Sequence, residues 1–161
     1  MALRQNNQTT NPGIFKVLIY LLILLIFISP LVLADSSIES KLILVQPVIN
    51  ANNKQTSISR NGLSAIFKMR LIQWDDGTPV TVFVLPDDNP VHKQFSKKIL
   101  NVFPHQLRRI WNNAIFSGSG QAPITLSSTA EMIEKIATTP GSIGNLSINE
   151  LNDRIKIIDI Q

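Results

Sequence analysis

Short runs of apolar residues along this chain predict the strands of a sheet. Val80–Leu85 reads VTVFVL, a β-branched run that suits a strand buried on both faces. Lys41–Ile49 is a second run, and it predicts a first strand that ends near Pro47. Ser142–Gly144 predicts a short strand, and Ile155–Ile160 predicts a final one.

Between these runs, apolar residues recur at helical spacing. Four helices are predicted, each preceded by a capping residue or a proline: from Ser59 or Asn61 to Phe67, from Asn89-Pro90 onward, from Pro104 to Ser117, and from Ser128 to about Ala137. Strands that alternate with helices indicate an α/β domain with a mainly parallel sheet.

The first 34 residues differ from the rest of the chain. Lys16 precedes the unbroken apolar run Val17–Ile28, and small or modest side chains lead to Ala34. A charged start, an apolar centre and a small-residue exit are typical of a secretory signal. The prediction is therefore a signal peptide over residues 1–34 and a periplasmic domain over residues 35–161.

The alternative is an uncleaved membrane anchor. Val17–Leu33 is a largely apolar stretch of 17 residues, the short limit for a helix that spans a bilayer. Lys16 would keep the amino end in the cytoplasm, so that the domain would still face the periplasm, anchored in the inner membrane.

Composition excludes several classes of function. The chain has no cysteine, which removes thiol catalysis and cysteine metal sites. Cleavage after Ala34 would remove Arg4 and Lys16 and lower the net charge from +4 to +2, which is no signature of nucleic-acid binding. No nucleophile elbow, H-E-x-x-H motif or Walker loop is present, so the chain is not expected to be an enzyme.

Four segments occur in an order that resembles the phosphate ABC-transporter substrate-binding proteins, which are type II periplasmic binding proteins: Leu63–Phe67, Trp74–Gly77, Val80–Leu85 and Thr139–Gly144. The chain is most similar to short, single-lobe relatives that carry "leu-pro-asp-asp … his" and "phe-ser-gly-x-gly-gln-ala-pro". The resemblance covers about Lys41–Leu146 and implies a single three-layer α/β/α lobe.

Three features depart from that family pattern. Phosphate binders carry an arginine and a Ser-Gly-Thr loop after the strand, where this chain has Pro86–Asn89. Two carboxylates there would repel a phosphate. The 127 residues left after cleavage fit about one lobe, whereas the larger proteins of the family close two lobes over the ligand. Asn145 stands where an aromatic residue is common in the family.

The candidate ligand-binding residues lie in two turns. Asp88, Asn89 and His92 surround one helix start, where the carboxylates could simply favour the helix terminus or could, with His92, bind a cation or a basic group of a partner. His92 by itself is typical of a surface histidine. Ser117, Gly118, Ser119 and Gly120 could present N–H groups to an anion, or could simply end a helix. No metal ligand set is predicted.

The resemblance implies an extracytoplasmic solute-binding protein without a cofactor, which binds phosphate or a similar oxyanion for a membrane transporter or sensor. A homodimer or a partner could supply the second wall of the site. The alternative is a non-ligand-binding adaptor or structural protein that docks on an envelope complex.

Overall fold

The computed structural model describes residues 43–118 and 120–161, together with positions 13, 16, 17 and 20. The chain divides into two compact units, Met1–Ser40 and Lys41–Gln161. The predicted signal or anchor falls largely outside the described residues and stays a prediction. Within the part that is described, no helix is long and apolar enough to cross a bilayer.

The second unit alternates strands and helices. Its strands are β1 (Val45–Asn50), β2 (Ser57–Ile58), β3 (Thr81–Val84), β4 (Ile124–Thr125), β5 (Ser142–Ser147), β6 (Ile155–Ile157) and β7 (Asp159–Ile160). Its helices are α1 (Arg60–Phe67), α2 (Pro90–Lys98), α3 (Pro104–Phe116) and α4 (Thr129–Thr138), with a 3-10 turn at Ile148–Glu150. The short strands β2 and β4 were not predicted, because two residues carry no periodicity.

The main sheet has five strands in the order β4-β3-β5-β1-β6. β3 pairs in parallel with β4 and with β5, whereas β1 is antiparallel to both β5 and β6. Four strands therefore run in one direction and β1 runs against them. The predicted α/β fold with a mainly parallel sheet is confirmed, and VTVFVL supplies an interior strand as expected.

Two predicted strand ends are wrong. β1 continues through Pro47 to Asn50. The first residue pair between β1 and β6 joins Val48 to Ile157, so Pro47 lies just outside this pairing. Its missing N–H therefore interrupts no hydrogen bond of the ladder. The predicted final strand Ile155–Ile160 is split. After β6, the N–H of Ile158 donates to Pro47, and β7 then pairs with β2 in a separate two-stranded sheet.

Helices cover both faces of the main sheet. On one face α4 packs so closely on β5 that a Cβ at Gly144 would lie 2.5 Å from the Met132 sulfur. On the other face the Phe67 and Phe95 rings pack in a tilted arrangement with their centres 4.9 Å apart, and the Trp111 indole N–H donates to the Phe67 carbonyl oxygen at 2.8 Å. Each large side chain buried in this way contributes about 1.5–3 kcal/mol. The lobe thus has three layers.

Candidate functional site

The candidate site begins where β3 ends. The chain passes from Val84 through Pro86–Asp88 to α2, at the carboxyl edge of the parallel strands. Ligands of parallel sheets characteristically bind at this edge. The Asn89 side-chain oxygen accepts the Val91 N–H at 2.9 Å, and Pro90 occupies the first helical position, as predicted. The helix start is therefore fixed by its own residues.

Asp87 forms an ion pair with an arginine of α3. Arg108 donates from Nη2 to one carboxylate oxygen at 2.8 Å and from Nε to the other at 3.3 Å. Its guanidinium also lies 5.2 Å from the centre of the Trp111 ring. Asp87 is thus neutralised by a two-point contact, whereas the next residue, Asp88, is exposed.

His92 lies in the interior rather than on the surface. Its side chain is fully buried (0% exposed), and Ser96 Oγ lies 3.5 Å from its Nε2. Burial lowers the pKa of His92, and the nearby Asp87 carboxylate opposes that shift. The expectation of a surface histidine is wrong because the inward face of α2 carries position 92 together with Phe95. Asp88 and His92 do not share an exposed surface.

Asn145 lies beneath α2 on β5 and completes a buried polar cluster with His92. Nδ2 and Oδ1 of Asn145, and Nδ1 of His92, lack a hydrogen-bond partner among the described residues. The Asn145 amide is nonetheless close enough to favour the protonated imidazole, which raises the pKa of His92 against the effect of burial. Gly144 faces α4, so strand alternation turns its neighbour toward α2.

The described part of the second predicted turn closes the end of α3. The backbone N–H groups of Ser117, Gly118 and Gly120 donate to carbonyl oxygens of Asn113, Ile115 and Ala114. Gly118 has a φ of 67°, the left-handed conformation typical of a helix end. Ser119 lies outside the described residues. These N–H groups are engaged within the chain rather than directed at a ligand.

The two predicted turns lie at opposite ends of β3. Gly120 borders a cavity together with Pro79 and Val80, which precede the strand, whereas Asp88 and Asn89 follow it. The structure therefore does not bring Gly120 and the start of α2 together. Whether either turn binds a ligand stays a prediction.

Arg108 was not among the candidate residues. The sequence gives it little signal, since a separation of 21 residues hides its contact with Asp87. Asn145 was noted only as a departure from the family pattern, and a polar residue within a buried strand is the signal for it. Among the described residues, no cluster of three or more metal-binding side chains occurs.

Comparison with known proteins defines the fold. No family model matches the chain, and no curated protein matches it. An ABC-type phosphate transport receptor from Vibrio cholerae has a TM-score of 0.57 at 15% identity, over 72% of this chain and 45% of its own. PstS from Borrelia burgdorferi has a TM-score of 0.55 at 18% identity, over 73% and 47%.

A Clostridium perfringens ABC-transporter substrate-binding protein, solved with bound phosphate, has a TM-score of 0.57 at 12% identity. The match covers 72% of this chain and 44% of the Clostridium perfringens protein. The predicted resemblance to phosphate ABC-transporter substrate-binding proteins is confirmed at the level of the fold. The chain spans less than half the length of these proteins.

Proposed function

We propose that this protein is an extracytoplasmic solute-binding protein that binds phosphate or a similar oxyanion at the start of α2. One observation carries the proposal. In a fold shared with proteins of phosphate transport, α2 begins at the carboxyl end of an interior parallel strand, where its terminus attracts anions. The role is binding without catalysis, on behalf of a membrane transporter or sensor.

Arg108 is the cation at this position that an oxyanion would use. Its guanidinium is already held by Asp87, so an anion must compete with that carboxylate. Exposed Asp88 adds a second negative charge close by. The start of α2 also offers few free backbone N–H donors. The Val91 N–H already donates to the Asn89 side chain, and Pro90 has no N–H. The site therefore favours weak rather than tight binding.

A second wall would strengthen such a site. The chain covers less than half the length of the phosphate-binding neighbours. A second copy of the chain or a membrane partner could close over the α2 edge and exclude water there. Electrostatic contacts strengthen as water is excluded.

Calorimetry with phosphate and with sulfate tests this proposal. Asp88→Asn removes one opposing charge, and we expect the Kd for the anion to fall several-fold, equivalent to roughly 1 kcal/mol at partly screened range. Asp153→Asn is the matched control, since Asp153 is exposed in a distant loop after the 3-10 turn. Absence of binding heat in the unmodified chain and in Asp88→Asn would refute oxyanion binding.

The second candidate function is an adaptor that docks on an envelope protein without binding a solute. The ion pair between Asp87 and Arg108 favours it, because this pair satisfies the Arg108 guanidinium from within the lobe. Under this reading Asp88→Asn leaves the anion titrations flat and lowers recovery of a partner from solubilised membranes. Unchanged recovery would remove Asp88 from the docking surface.

A further inference from the structure

The outer face formed by α2 and α3 carries charge of one sign. Residues 90–116 contain three lysines, two arginines and no acidic residue. Arg108 is neutralised by Asp87, which leaves four exposed cations: Lys93, Lys97, Lys98 and Arg109. The exposed Asp88 lies before the start of α2, at the opposite end of that helix from Lys97 and Lys98.

The face formed by α4 has a different balance. Glu134 pairs with Arg154 at 2.8 Å, and Glu131 accepts from the Ser127 N–H at 2.8 Å and from its hydroxyl at 2.7 Å. Lys135 lies on the same helix and follows both Glu131 and Glu134. The excess of positive charge on α2 and α3 is thus not repeated on α4.

An aromatic side chain projects from the middle of this basic face. Phe103 joins α2 to α3 and remains 49% exposed. The Lys97 ammonium lies 5.0 Å from the centre of its ring, and the His105 ring stacks on it at 5.6 Å. Lys93, Lys97, Phe103 and His105 line a shallow groove of about 260 Å³, whose remaining walls are Asp87 and Pro104. We name Lys93, Lys97, Phe103 and His105 the basic-aromatic ledge.

We propose that the basic-aromatic ledge docks this lobe onto an anionic lipid surface. Lysines near such a surface are attracted to the phosphate headgroups, and an exposed aromatic ring flanked by cations suits the boundary between headgroups and acyl chains. The single sign of the charge favours a uniformly anionic partner, whereas a folded protein surface generally carries both signs. The inference does not depend on solute binding at α2.

The chain lacks cysteine, which allows site-specific labelling to test the ledge in the full chain. His105→Cys places an environment-sensitive dye within the ledge, and Lys135→Cys places the same dye on α4, across the sheet. The labelled chain is reconstituted in vesicles of phosphatidylcholine alone and of phosphatidylcholine with phosphatidylglycerol. Acrylamide quenching of each dye is the measurement.

We expect phosphatidylglycerol to protect the dye at position 105 and to leave the dye at position 135 accessible. Each lysine contributes about fivefold to partitioning onto an anionic surface, so Lys93→Glu with Lys97→Glu should lower the protected fraction more than tenfold. Lys54→Glu and Lys156→Glu, which exchange two lysines outside the ledge, serve as the charge control and should have a much smaller effect. High salt should also release the dye at position 105.

The aromatic part has its own control. Phe103→Ala should lower protection severalfold, whereas Phe116→Ala should not, although Phe116 at the far end of α3 is 87% exposed. A larger effect of Phe116→Ala would show general apolar adhesion and would overturn the proposal. Retained cooperative unfolding in every variant establishes that each one is folded.

Other outcomes separate the lipid surface from its rivals. Equal protection at positions 105 and 135, or protection in phosphatidylcholine alone, would contradict an anionic lipid partner. Release by inorganic phosphate beyond that caused by sodium chloride of equal ionic strength would instead indicate a small-anion site. Protection by polyglutamate in the absence of vesicles would indicate an acidic protein partner.

Discussion

At the scale of single residues, His92 shows how burial changes the chemistry of a side chain. A histidine at the start of a helix could face either water or the core. Here His92 lies on the inward face of α2 and is buried. Desolvation is the largest cause that lowers the pKa of His92, with the Arg108 charge adding to it, and Asp87 and Asn145 act in the opposite direction. The neutral imidazole is therefore the form that the folded state favours.

This leads to a prediction about pH. Because the pKa of His92 is lower in the folded state than its usual 6.5, the unfolded chain binds more protons as the pH falls below that value. The contribution of His92 to the free energy of unfolding is fully present above about pH 6.5, and it is lost as the pH falls toward the lowered pKa of the folded state. Denaturant melts at a series of pH values measure the loss.

Replacement of the histidine tests its share of that loss. His92→Asn should flatten the pH dependence of the free energy of unfolding as the pH falls below about 7. His105→Asn is the matched control, since His105 is exposed on α3, and it should leave the slope in place. An unchanged slope in His92→Asn would mean that other groups cause the pH dependence.

At the scale of elements, the turn between α4 and β5 depends on one glycine. Gly141 has a φ of 72°, and a Cβ there would lie 2.3 Å from the Pro79 carbonyl oxygen. Its own carbonyl accepts the Trp74 indole N–H at 2.8 Å and the Thr81 backbone N–H at 3.3 Å. This close approach joins the start of β5 to the start of β3.

A pair of substitutions distinguishes backbone conformation from close approach. Gly77 also has a positive φ, of 82°, but no atom lies within 4 Å of where its Cβ would stand. Gly77→Ala should cost about 1–2 kcal/mol from the left-handed conformation alone. Gly141→Ala should cost at least about 2 kcal/mol more in a denaturant melt, since the backbone must move. Equal losses would show that the contact with Pro79 relaxes at little cost.

At the scale of the whole molecule, the compact unit and the apolar segment belong to separate parts of the chain. Lys41–Gln161 is compact by itself, and it contains both of the sheets formed by the described residues. We propose export of this unit to the periplasm, directed by the segment that contains Val17–Ile28. Cleavage after Ala34 would leave the compact unit intact.

Mass spectrometry tests the export proposal directly. Protein recovered from the periplasm should begin at Asp35. Ala34→Arg, which places a large charged side chain at the cleavage position, should block processing and leave the precursor in the membrane fraction. Lys41→Arg is the control, as it alters no small residue. An intact Met1 terminus in unmodified protein from the membrane fraction would favour the anchor.

The sequence by itself determined the local elements and the class of fold. Caps and prolines set the starts of the helices, since Ser59, Asn89 and Ser128 satisfy N–H groups within their own first turn. The continuous β-branched run Val80–Leu85 marked β3 as an interior strand. These signals act between neighbours in the chain, which is why they can be recognised without the tertiary structure.

Only the tertiary structure decided which distant residues meet. The pairing of Asp87 with Arg108, the burial of His92 above Asn145 and the passage of β1 through Pro47 depend on how elements from separate parts of the chain pack. The same packing places the start of α2 and Gly120 at opposite ends of β3. Contacts of this kind are formed by the folded chain as a whole, because each requires elements that the sequence separates.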